Sequence, residues 1–101
     1  MEKTLGIFVS SDRHLHHVIA LTRAAKNQGI KVTIFFTHLG LLLTQDPRFA
    51  QLKGIAEMSI CNVGLQAHGI KPPVAGIRER DHATQSRHAE LIKECDRYVV
   101  F

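Results

Sequence analysis

The chain has 101 residues, 45% of them hydrophobic, with two cysteines, one tyrosine and no tryptophan, which is enough for one domain with one core and too little for two. No segment approaches the roughly 20 apolar residues of a membrane span, so no membrane partner is expected. The net charge of +4, with a pI near 9.4, is spread over separate elements as Lys3, Arg13, Arg23, Lys26, Lys31, Arg48 and Lys53. The later cations Arg78, Arg80, Arg87, Lys93 and Arg97 alternate with acids, and no basic stripe carries stacking aromatics, so no direct nucleic-acid partner is expected either.

In chain order, Thr4 to Val9 is a short β-rich apolar run, followed by Ser10-Ser11-Asp12, three residues suited to capping a helix N-terminus. From about Arg13 to Asn27, Leu15, Val18, Ile19, Leu21, Thr22 and Ala25 follow helical spacing, and Gly29 stands where a left-handed C-terminal residue belongs. Lys31 to Phe36 is a second strand, nearly continuous in β-branched and aromatic residues, as a strand covered on both faces should be. The stretch from Thr37 to Thr44 is too apolar for a solvent loop, so Leu39, Leu41, Leu42 and Leu43 are expected to meet another subunit. Asp46-Pro47 starts the next helix, with Asp as cap, Pro at its first position, and Phe49 and Leu52 facing inward. Glu57 to Ile60 is a third strand that ends at Cys61, and Asn62 to His68 reads as a short helix stopped by Gly69. Pro72 and Pro73 place a loop next, with a brief strand at Val74 to Ile77; a last helix spans about Ala83 to Glu94, and Asp96 to Phe101 forms a terminal strand. Strands alternating with helices predict an α/β domain over 1–101, built on a small, mainly parallel sheet of four or five strands.

The chemistry centres on Cys61. A thiol at a strand-to-helix turn sits at the carboxyl end of a parallel sheet, where ligands collect, and helix N–H groups favour its thiolate. The competing reading is a buried cysteine that fills space at the junction. With connections leaving in opposite directions the first and third strands are expected to be neighbours, so that Ser10, Ser11, Asp12 and His14 line the crevice that holds Cys61 and are candidate substrate-binding residues. Asn62, beginning the following helix, and Arg78, in the loop beyond it with Arg80, are counted with them; the arginines either fold over the thiol and lower its pKa or bind an anionic persulfide donor, against the alternative of a solvated loop. His14, His16 and His17 invite a metal reading with Cys61 as a third ligand, but zinc wants three or four ligands held together, and the histidines are read instead as exposed polar positions on a helix N-terminal turn; no metal is assigned. His68 lies about 10 Å along the helix from Cys61, too far for direct proton transfer. Cys95 is assigned to packing, because it precedes a strand whereas Cys61 ends one.

The stretch MSICNVGLQAHGI and the ending CDRYVVF resemble the DsrE/DsrF-like family, which includes the TusD, TusC and TusB sulfur-relay subunits. The first strand-helix unit and KVTIFF fit the same order. The resemblance implies a three-layer α/β/α sandwich and a persulfide carried on Cys61. It also implies protein sulfur donors and acceptors, and assembly as a homo-oligomer (trimer or hexamer) or as a hetero-oligomer with related subunits. Against the longer members, this chain has only a brief segment between Ile70 and its last helix. Some relatives lack the cysteine and serve as structural or regulatory subunits. With two cysteines and no N-terminal apolar run of signal-peptide length, a reducing cytoplasm is the expected compartment. Exchange at sulfur needs an accessible thiolate and no cofactor. The expectation is therefore a sulfurtransferase-like sulfur carrier, with a non-catalytic oligomeric or small-ligand-binding subunit, in which Cys61 is structural, as the alternative.

Overall fold

The computed structural model describes residues 3–70, 77, 82–83, 90 and 92–101. The two runs of β-branched and aromatic residues, Thr4–Val9 (β1) and Lys31–Phe36 (β2), pair in parallel from Thr4 opposite Lys31 to Val9 opposite Phe36. Glu57–Cys61 (β3) adds to the far side of β2, the two-residue strand His82–Ala83 (β4) adds to β3, and Arg97–Val100 (β5) adds to the free side of β1. All pairings are parallel and the order is β4-β3-β2-β1-β5. With helices joining the strands, this is an α/β fold. Among the described residues, no helix is long and apolar enough to cross a membrane.

The order corrects one expectation: β1 and β3 are not neighbours, because β2 lies between them. Successive strands are laid outward in one direction from β1 to β4, and the reversal comes only when β5 returns to the other side of β1. The topological switch point, where a crevice opens at the carboxyl ends, is therefore between β1 and β5. An apolar run announces a strand buried on both faces but carries no mark of its neighbours, so the spacing of the runs left this open.

Side chains alternate across a strand, and the sheet divides its residues accordingly. Ile7, Val9, Ile34, Phe36, Met58 and Ile60 belong to the large core on one face, while Phe8, Phe35 and Cys61 form a small buried cluster on the other. The large core is closed by Leu15–Asn27 (α1), whose Leu15, Val18, Ile19, Thr22 and Ala25 make one buried stripe. The Thr22 hydroxyl inside that stripe donates to the Val18 carbonyl at 2.7 Å, so its burial leaves no unmet donor. The helix begins later than the capping residues suggest. Its N-cap is His14, which makes no side-chain cap bond, because Ser10 and Ser11 first donate their N–H groups to the Phe101 carbonyl at 2.8 and 3.3 Å. Ser11 Oγ instead accepts from the Arg13 N–H, bracing the turn before the helix.

The apolar stretch after β2 is a 3-10 helix, His38–Gln45, followed by a second over Pro47–Leu52. The threefold repeat explains which leucines are inside. Gly40 and Leu43 share one buried row and Leu41 and Thr44 another, while Leu39 and Leu42 fall on the third, 50% and 37% exposed. The expected intersubunit leucine patch is thus half internal: Leu41 and Leu43 fill this chain's own core. In the second segment Asp46 is the cap and Pro47 the first residue, as expected. Asp46 accepts from the Arg48 N–H and guanidinium at 2.8 to 3.1 Å, which holds its carboxyl below the usual range. Phe49 and Leu52, three residues apart, are both buried.

Asn62–Ala67 (α2) follows β3 without an intervening residue. The helices α1 and α2 end in the same way. Gly29 and Gly69 adopt φ of +75° and +69°; their N–H groups donate to Lys26 and Gln66, and those of Ile30 and Ile70 reach back to Ala25 and Leu65. This is the paired bonding of a Schellman cap. Beyond α2, the expected strand at Val74 to Ile77 lies outside the described residues except for Ile77, which is not in a strand; a two-residue strand is present at His82–Ala83. Ala83 therefore cannot begin the last helix, of which Glu90 and residues 92–94 are described as helical. The terminal strand stands where it was expected, but as an edge: all four of its residues are exposed.

Candidate functional site

Cys61 is at once the last residue of β3 and the N-cap of α2. The strand keeps its extended backbone to φ −79°, ψ 108° at Cys61, and the next residue is already helical. Because no turn intervenes, the cysteine is held inside the sheet rather than lifted above it. It is 7% exposed and packs with Phe8 and Phe35 on the face away from α1. Leu65, fully buried, anchors α2 onto the large core, and Leu41 of the first 3-10 helix packs against α2 at Gly64.

One further residue belongs to this site. Ser59 shares the face of Cys61, two residues earlier on β3, and lies in register with Phe35. It is 3% exposed, and its hydroxyl has no hydrogen-bond partner among the described residues. Its signal in the sequence is a hydroxyl interrupting the apolar strand EMSIC, which belongs to neither a helical nor a metal-ligand spacing.

The other candidates gather elsewhere. Ser10, Ser11, Asp12 and His14 sit at the carboxyl ends of β1 and β5. Ser10 Oγ donates to the Phe101 carbonyl at 3.3 Å, and the His14 ring lies 6.1 Å from that of Phe101. In register, Val9, Phe36 and Ile60 line up across the three central strands. Ser10 and Cys61 are therefore level but two strand spacings apart, about 10 Å, with Thr37 at the end of β2 between them. The structure brings Ser10, Ser11 and His14 together around Phe101, leaves Asp12 exposed in the same turn, and separates this group from the cysteine by the intervening strand β2. Asn62 opens α2 beside Cys61. Arg78 and Arg80 lie outside the described residues.

The histidines form their own group, with ring centroids 5.7 Å apart for His14 and His17 and 4.0 Å for His16 and His17. Among the described residues, no set of three or more His, Cys, Asp or Glu side chains is placed to hold a metal ion. His68 caps the far end of α2, and its Nε2 lies 2.9 Å from the His38 carbonyl; that oxygen can only accept, so the ring donates there.

Neither cysteine is in a disulfide. Cys95 stands over Gly6, its Sγ 2.7 Å from where a Cβ would be placed on that glycine. This is the entry half of β1, away from the carboxyl end that holds Cys61. Burial pushes the Cys95 thiol up, and the Asp96 and Glu94 carboxylates act in the same direction.

No protein-family model matches this chain, and no curated protein matches it.

Proposed function

We propose that the chain is a cytoplasmic sulfur carrier of the DsrE-like kind, a three-layer α/β/α domain that relays sulfane sulfur as a persulfide on Cys61. The observation that carries this reading is the position of Cys61 at the carboxyl end of β3, joined directly to α2. The resemblance of MSICNVGLQAHGI supports it. In the reaction, the Cys61 thiolate attacks the outer sulfur of a donor persulfide. A new S–S bond forms, the donor's S–S bond breaks, and its electron pair leaves on the donor thiolate, with no net oxidation. Delivery is the same exchange run toward an acceptor thiol. Donor and acceptor are proteins in this reading. The exposed Leu39 and Leu42 support an apolar contact with another copy in a trimer or hexamer, or with a related subunit.

Incubation of the full chain with a low-molecular-weight persulfide, followed by peptide mass spectrometry, tests the assignment. The expected result is one added sulfur on Cys61, absent in Cys61→Ser and retained in Cys95→Ser. No added sulfur, or sulfur on Cys95 alone, overturns it.

A second reading is favoured by a specific observation, the burial of Cys61 to 7% beside two phenylalanines. In that reading the cysteine packs the sheet of a non-catalytic oligomeric or ligand-binding subunit. Cys61 would then label with iodoacetamide more slowly than Cys95 at neutral pH. The carrier reading expects the reverse, because burial keeps the Cys95 thiol protonated.

A further inference from the structure

We propose that Ser59 is the hydrogen-bond donor that holds the outer sulfur of the Cys61 persulfide; this rests on the carrier reading above. A serine in the middle of a fully buried parallel strand is out of place unless its hydroxyl is used, since a buried donor without a partner weakens the fold. Ser59 is 3% exposed, and its hydroxyl is unpartnered among the described residues. Its lateral neighbour on β2 is Phe35, whose ring offers no comparable acceptor; the position across on the β4 side lies outside the described residues.

The strand geometry says what could satisfy it. Residues two apart on a strand project to the same side with about 7 Å between them. The thiol sulfur of Cys61 is too distant to bond the hydroxyl directly across that span. A persulfide adds a second sulfur about 2 Å beyond the first, which enters the interval between the two side chains. The hydroxyl then donates to the outer sulfur, and donates most strongly when that sulfur is ionised. The apolar surroundings of Phe8 and Phe35 strengthen the same bond by excluding water. The exchange reaction is unchanged: Ser59 forms and breaks no covalent bond.

The test compares the unmodified chain with Ser59→Ala and Ser59→Thr, each loaded with a low-molecular-weight persulfide. Cys61 should take up sulfur in all three. Ser59→Ala should then release it to an acceptor thiol roughly tenfold faster, the worth of a hydrogen bond to a charged acceptor. The pH midpoint of persulfide alkylation should move upward in Ser59→Ala and return in Ser59→Thr, which keeps the hydroxyl. Thermal unfolding of the unloaded Ser59→Ala should be no lower than that of the unmodified chain, because the buried donor it removes is unpartnered among the described residues. Equal release rates and equal midpoints with Cys61 loaded would mean that the hydroxyl only fills space or binds a buried water, and the role is overturned while the carrier reading stands. Failure of the unmodified chain to load Cys61 overturns both.

Discussion

Two strand-to-helix junctions at the carboxyl edge of one sheet are built in opposite ways. Between β1 and α1 the chain spends five residues, Ser10 to His14, and those residues stand half-exposed or exposed around Phe101. Between β3 and α2 it spends none, and Cys61 stays buried in the sheet. The difference shows that the number of residues in the turn decides what the edge offers. A long turn lifts polar groups to solvent, whereas an immediate helix keeps the last strand residue under cover. The helices differ as well. The thirteen residues of α1 make several turns, but the six of α2 are far below the length at which a helix is stable by itself, so α2 stands on its packing.

The sharpest way to break this comparison is to delete the same atoms at both junctions. Leu15 in the first turn of α1 and Leu65 in α2 are both buried, at 1% and 0%. Leu15→Ala and Leu65→Ala should each cost about 3 kcal/mol in denaturant unfolding. Only Leu65→Ala should also speed iodoacetamide labelling of Cys61 under native conditions, because a frayed α2 uncovers it. Equal acceleration by Leu15→Ala would show that the junctions are not independent.

A smaller effect probes what the two helices share. Gly29→Ala and Gly69→Ala place a side chain at φ of +75° and +69°, where neither would clash with a neighbour, so each should cost about 1 kcal/mol for the left-handed backbone alone. Matching losses in thermal melts would confirm that the caps are equivalent. A much larger loss at Gly69 would mean that the short helix depends on its cap as well as on Leu65.

Much of this was readable in advance, and the exceptions have physical causes. β1, β2, β3 and β5 declare themselves as apolar runs, and the Gly-Ile pairs mark both helix ends. Strand order left no trace, because a strand covered on both faces has the same composition wherever it lies in the sheet, and the crevice drawn around Cys61 depended on that order. The leucines after β2 misled because a 3-10 helix turns every third residue outward: Leu39 and Leu42 are exposed while Leu41 and Leu43 are buried. Cys61 was legible as a junction residue. Ser59 was not, since what marks it is a buried hydroxyl unpartnered among the described residues, which composition does not carry.

The smallest effect concerns the second cysteine and separates its role from that of Cys61. Burial over Gly6 raises the Cys95 thiol above its ordinary value, while in the unfolded chain it ionises near about 8.5. Above that pH the unfolded chain has released a proton that the folded chain still holds, so unfolding is increasingly favoured. The contribution of this thiol is therefore complete below about pH 8.5 and is lost as pH rises toward the folded value. Because Cys95 is only partly covered, the decline should be shallow. Cys95→Ala should flatten it, although its stability at neutral pH falls through lost packing on Gly6. Urea unfolding at a series of pH values from neutral to alkaline measures both. A slope that persists unchanged in Cys95→Ala would mean that this thiol does not titrate differently in the two states, and the packing role assigned to it over Gly6 would lose its electrostatic support.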